Sequence, residues 1–164
     1  MKKLYIIGGP MGVGKTTVCK ALMQKLDKSV FLDGDWCWNM RPFQVTQETK
    51  LMVIDNICHM LNNFIKCSAF ENIIFCWVMH QRTIIDTIIS NLKISDCDII
   101  KISMICNPHA LRKRLQKDIN NGIRTNDIIE KSINYIPLYK KLDTIKIDVS
   151  DKMIKDIITE ILIL

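Results

Sequence analysis

Gly9-Pro10-Met11-Gly12-Val13-Gly14-Lys15-Thr16 satisfies the spacing GxxxxGK[ST] in full. A short apolar run, Leu4 to Ile7, leads into it, and Val18, Leu22 and Leu26 follow at helical spacing. Strand, glycine-rich turn and helix start in that order make an anion cradle. Glycines let the backbone curl so that successive N–H groups converge, and the helix adds the positive end of its dipole. The anions that suit such a loop are nucleotide phosphates. Lys15 is placed to reach the outer two, Thr16 offers a hydroxyl to magnesium, and Thr17 can bond an inner phosphate. Gly9, Met11, Gly12, Val13, Gly14, Lys15, Thr16 and Thr17 are therefore the expected nucleotide-binding residues. A chance glycine-rich turn would lack this flanking strand and helix.

Outward from the loop, strands and helices take turns. Continuous apolar runs at Ser29 to Leu32, Asn72 to Met79, Asp98 to Cys106 and Thr144 to Val149 read as strands buried on both faces. Between them, Leu51, Ile54, Ile57, Cys58, Leu61, Phe64 and Ile65 form one helical stripe, and Ile85, Ile88, Ile89 and Leu92 another. Thr46 stands near the start of the first of these helices. Thr83 with Asp86 suits a capping box, Asn107-Pro108 a cap and first-turn proline, and Gly122 a helix stop. Asn126 and Ser150 are expected caps of two later helices, the first bent or interrupted by Pro137. Five strands and about six helices in alternation predict an α/β fold with right-handed crossovers. The ligand crevice belongs at the carboxyl ends of the strands.

Composition narrows the class. The chain has 164 residues, one domain by size, and carries 23 Lys+Arg against 17 Asp+Glu, a net charge of +6 that favours an anionic partner. No uncharged run is long enough to cross a membrane, and the apolar start meets glycine too soon for a signal peptide. The seven cysteines show no CxxC pair and no zinc spacing, so they read as reduced, buried thiols of a cytoplasmic protein.

A second stretch, Phe31-Leu32-Asp33-Gly34-Asp35-Trp36-Cys37-Trp38, places two carboxylates at the end of an apolar strand, where their desolvation needs compensation. At alternate positions of an extended segment, Asp33 and Asp35 would point the same way into one crevice. The other reading makes them turn residues that cap the next segment.

GGPMGVGKTT, DGD after the second strand, and RKRLQKDINNGIR before the last together resemble the small kinases of the P-loop NTPase superfamily: nucleoside monophosphate, shikimate, gluconate and chloramphenicol kinases. The resemblance spans most of the chain, and only its first motif is highly specific. It implies a three-layer α/β/α fold, with a five-stranded parallel sheet in the order 2-3-1-4-5 and a short helical lid within about residues 108–126. It implies ATP and Mg2+ as cofactors and a small-molecule acceptor. Neither NKxD nor DxxG of the GTPases occurs, and IIFCWVM ends without the acid that AAA+ and transport ATPases use for magnesium.

By the same resemblance Asp35 orients the acceptor hydroxyl or takes its proton, while Asp33 holds magnesium through a water, alongside Thr16; spacing alone leaves the two roles interchangeable. Arg114 is expected to stack on the base or touch phosphate, and Arg124 to neutralise charge on the transferring group; an exposed, salt-bridged helix face is the alternative for both. Trp36 and Arg41 are expected at the acceptor, or else in a small satellite core. His80 and Arg82, at the end of the third strand, are expected to border the same crevice. A nucleoside or nucleotide is the first choice of acceptor, with an antibiotic or metabolite as alternative. A nucleotide-binding sensor that phosphorylates nothing is the rival from another class. Nucleic acid is the less favoured partner, and the acting unit is expected to be a monomer or homodimer.

Overall fold

A computed structural model describes residues 1–164. Its strands are β1 (Lys2–Gly8), β2 (Ser29–Asp33), β3 (Asn72–Trp77), β4 (Cys97–Ile105) and β5 (Ile145–Asp148). Its helices are α1 (Lys15–Met23), α2 (Gln47–Lys66), α3 (Arg82–Ser90), α4 (Pro108–Asn120), α5 (Ile128–Lys141) and α6 (Ile154–Leu162), with a 3-10 turn at Gly34–Trp38. The five strands form one parallel sheet in the order β2-β3-β1-β4-β5, as the resemblance implied.

Helices cover both faces, which explains why the strands are apolar throughout. Along β1, Leu4 and Ile6 face α2 and α3, whose Val53, Ile57, Leu61, Ile85 and Ile88 share their core. Tyr5 and Ile7 face the opposite layer, among Val18 and Leu22 of α1, Leu111 and Leu115 of α4, Ile136 of α5 and Ile157 of α6. The alternation of the pleat sends neighbours into different cores.

Several helix ends follow the sequence. Thr46 caps α2 and exchanges bonds with Thr49. Asn107 accepts from the Ala110 N–H at 2.8 Å ahead of Pro108, and Gly122 follows α4 with φ +71°. Three expected ends are corrected. α3 starts at Arg82 after Gln81, which makes no side-chain cap, so Thr83 lies inside the first turn and Asp86 pairs with Arg82. α5 starts after Asp127, leaving Asn126 outside the cap position, and it runs through Pro137 to Lys141 without interruption. Ser150 bonds Asp148 instead of capping α6, which starts four residues later. In the third case a local carboxylate outcompetes the helix end.

Candidate active site

The carboxyl ends of β1, β2 and β3 open onto two cavities that share a wall. The first, about 390 Å³, holds the glycine-rich loop: Met11, Gly12, Gly14, Lys15, Thr16 and Thr17 line it from one side, and Arg114, Lys117, Asp118 and Arg124 from the other. The second, about 790 Å³, is lined by Trp36, Trp38, Asn39, Phe43 and Val45 from the β2–α2 connection, by Trp77 of β3, and by Ile128, Lys131 and Tyr135 of α5. Met11, Asp35 and Val78 border both.

The loop is set by packing as well as by its own glycines. Gly12 adopts φ +78°, a region that side chains rarely enter, and a Cβ there would come within 2.3 Å of Leu115 Cδ2. Val13 is buried in the core, and its carbonyl accepts from Arg114 at 3.0 Å. Lys15 Nζ donates to the carbonyls of Gly9 at 2.8 Å and Pro10 at 3.1 Å. Withdrawal from water lowers the Lys15 pKa, against the pull of Cys76, Asp35 and Asp33. An ammonium held this way gains on meeting phosphate oxygens.

Thr16 Oγ1 donates to Asp33 Oδ2 at 2.6 Å, and Asp33 is only 5% exposed. Asp33 Oδ1 accepts from the Asp35 N–H at 3.1 Å. The two acids do not ride one face of an extended strand, which is a correction to the alternation argument: β2 ends at Asp33, and Gly34–Trp38 coil into the 3-10 turn that Asp33 caps. Asp35 reaches the crevice through that turn. The turn also needs glycine, because a Cβ on Gly34 would lie 2.5 Å from Trp77 Cγ. Burial raises the Asp35 pKa and Asp33 adds to the rise, while Lys15, Trp77 and Arg124 oppose it.

The arginines of α4 and the turn after it divide. Arg114 spends its fork on backbone, donating to the carbonyls of Val13, of Val149 at 2.5 Å and of Ser150 at 3.3 Å. It joins the loop to the end of β5 while still bordering the phosphate cavity. Arg124 is about one-third exposed, pairs with Asp118 at 3.3 Å and borders the same cavity.

On the acceptor side, Trp36 is half-exposed and meets Phe31 edge-on, with ring centres 5.3 Å apart, and Trp38 lies 5.8 Å from Phe43. These rings pack together, and Trp36, Trp38 and Phe43 also line the larger cavity. Arg41 is exposed and lines neither cavity. Arg82 is a second correction: it is turned to solvent, 78% exposed, and pairs with Asp86, because α3 begins there and its i,i+4 partner lies on the outer face. His80 also lines neither cavity. Its ring stacks on Tyr135 with centres 4.1 Å apart, its Nδ1 is buried without a partner, and burial together with Lys131 lowers its pKa.

Sequence reasoning missed the wall supplied by α5. Ser132 Oγ donates to the Met11 carbonyl at 2.6 Å, which docks α5 on the phosphate loop. Ile128, Lys131 and Tyr135 then face the larger cavity. The signal was their spacing of three and four residues, but nothing local says that this face meets a loop more than a hundred residues away. No cluster of three or more His, Cys, Asp or Glu is grouped to hold a metal ion.

Comparison with solved structures places the fold. A gluconokinase from Sinorhizobium meliloti 1021 superposes with TM-score 0.71 at 15% identity, covering 98% of this chain and 90% of that one. A shikimate kinase from Bacteroides thetaiotaomicron gives 0.62 at 19% identity and 99% of each chain. An APS kinase from Mycobacterium tuberculosis, in complex with AMPPNP and APS, gives 0.68 at 13% identity, covering 98% of this chain and 95% of that one. No curated protein matches the sequence.

The acid that AAA+ ATPases carry after the third strand is missing here, as Trp77-Val78-Met79 shows, but its absence does not set the chain outside their wider family. The family model described as an AAA domain matches residues 6–134, most of the chain and all of the phosphate loop, so the protein belongs to the AAA domain family, folded as a P-loop protein of the small-kinase shape.

Proposed function

We propose that the protein is a kinase, a single P-loop domain that moves the γ-phosphoryl of ATP to a hydroxyl or phosphate of a small acceptor. One observation carries this reading: Asp35 stands in the wall common to the phosphate cavity and the apolar cavity. A pure nucleotide binder has no use for a second cavity meeting the first at a carboxylate. The ATP analogue in the structurally similar APS kinase supports ATP as donor.

Lys15 leaves the Gly9 and Pro10 carbonyls for phosphate oxygens when the nucleotide binds. Asp35 accepts the hydrogen bond of the acceptor hydroxyl and takes its proton as the new O–P bond forms. The bond from phosphorus to the β–γ bridging oxygen breaks, and ADP leaves. Arg124, Lys117 and Arg114 bring positive charge to the same cavity, and α4 with its following turn is positioned as a short lid that excludes water.

Thr16 and Asp33 fit a magnesium ion. Both present oxygen, the hard donor this ion prefers, and a protein that supplies one carboxylate leaves the other positions to phosphates and water, its usual manner of binding. When bound, the ion neutralises charge on the phosphates. No helix is long and apolar enough to cross a membrane. All seven cysteines are free thiols, which supports a reducing cytoplasm as the site of action.

ADP release measured against a panel of nucleosides, nucleoside monophosphates, sugar acids, shikimate and phenicol or aminoglycoside antibiotics tests the proposal. Acceptor-dependent release that disappears in Asp35→Asn supports it. Tight nucleotide binding, with no acceptor raising ADP release, would instead make the protein a sensor.

A further inference from the structure

We infer that the acceptor is an aromatic or flat apolar alcohol of low charge, such as a nucleoside or an aryl alcohol, and not a phosphorylated or polyacidic metabolite. This inference rests on the kinase reading and specifies its second substrate. The cavity that meets Asp35 is lined by 12 residues, of which nine are hydrophobic. All three tryptophans of the chain stand on it, with Phe43 and Tyr135. Aromatic faces on several sides favour a ring slotted between them, through stacking and exclusion of water.

Charge argues the same way. Lys131 is the only cation among the lining residues and Asp35 the only anion, so the cavity is close to neutral. Lys131 has no carboxylate partner and can satisfy one negative or polar group. Arg41 and Arg82, the side chains that would have held an acceptor phosphate, are outside. A phosphate dianion set among the rings, away from the wall shared with the phosphate cavity, would face one lysine and apolar side chains, a poor exchange for its hydration. A hydroxyl at Asp35, with a ring behind it among the tryptophans, leaves no buried charge unpaired.

The tryptophans provide the readout. The intact protein, with its nucleotide site saturated by a non-hydrolysable ATP analogue and Mg2+, is titrated with uridine, 2-phenylethanol, uridine 5′-monophosphate and gluconate, and intrinsic fluorescence is followed. Uridine or 2-phenylethanol should change the emission at concentrations about tenfold lower than the two anions need. Val45→Asp, a change at an exposed residue of the cavity lining, should weaken the neutral ligands and leave nucleotide binding intact. Parallel ADP release with ATP separates the two readings. Neutral ligands that bind, with no member of the acceptor panel driving ADP release, uphold the cavity assignment and overturn the kinase. ADP release driven by uridine 5′-monophosphate or gluconate, with the neutral alcohols silent in both assays, upholds the kinase and overturns the inference, as does equal binding of all four.

Discussion

The Thr16 hydroxyl and the Asp33 carboxylate meet at 2.6 Å, joining the first turn of α1 to the last residue of β2. The pair assembles two oxygen donors beside the phosphate cavity before any nucleotide arrives. Chelation of divalent ions should therefore stop ADP release, and Asp33→Asn should raise the Mg2+ concentration for half-maximal rate by about tenfold. A Mg2+ titration of both proteins decides this; an unchanged midpoint removes Asp33 from the metal role.

In the proposed mechanism Lys15 and Asp35 serve different steps, so their loss should be separable. Asp35→Asn is expected to lower kcat by about 10²- to 10⁴-fold with nucleotide affinity nearly unchanged. Lys15→Ala should weaken nucleotide binding and turnover together. Calorimetric titration with an ATP analogue, beside steady-state kinetics, checks both.

The Asp35 pKa is raised in the folded chain, chiefly by burial, and the sign of two pH effects follows. The ionised form is the one that accepts the hydroxyl proton, so kcat/KM should fall on the acid side at a pH above that of an ordinary aspartate. For stability the direction is opposite. A raised folded value means stability is greatest below the unfolded pKa and is lost as pH rises through the folded one. Asp35→Asn should accordingly raise the melting midpoint of the nucleotide-free protein at neutral pH, and the gain should vanish in acid. Melting curves at the two pH values measure it.

Gly34 separates the two acids, with Trp77 Cγ and Cβ 2.5 and 2.9 Å from where its Cβ would stand. These atoms are the root of the indole side chain and cannot swing aside. Gly34→Ala should cost about 1–3 kcal/mol of stability and shift Asp35, lowering kcat more than it weakens nucleotide binding. Urea unfolding and kinetics together report both effects.

Arg114 ties Val13 to Val149 and Ser150. Removing a charged donor from half-buried carbonyls should cost about 2 kcal/mol. Arg114→Ala should thus unfold at lower denaturant and also bind nucleotide less well, whereas a purely phosphate-contacting arginine would change affinity alone.

The strands and the phosphate loop were legible in the chain because their signals are local or periodic, whereas the order of the sheet followed from the family resemblance alone. Gly9 to Thr16 specify a curled backbone by residue type, and apolar runs such as Ile73 to Cys76 can sit only between two covered faces. The ends of helices were less legible. Thr83, Asn126 and Ser150 are all good capping residues, but Asp86 pairs with Arg82, Asp127 takes the N-cap position of α5, and Ser150 bonds Asp148.

For the acceptor side, sequence alone named the residue types and tertiary structure chose among them. Arg41, His80 and Arg82 lie close in sequence to acids and tryptophans that line the crevice, yet none of the three lines it, and Lys131 and Tyr135, remote in sequence, do. A site wall is made wherever helices happen to pack, and that depends on long-range burial such as Ser132 against Met11, which no window of neighbouring residues encodes. The chain by itself determined a glycine-rich loop of the phosphate-cradling pattern between β1 and α1; only the packing of α5 decided what stands opposite Asp35, because the contacts that place a helix are made by residues far apart along the chain.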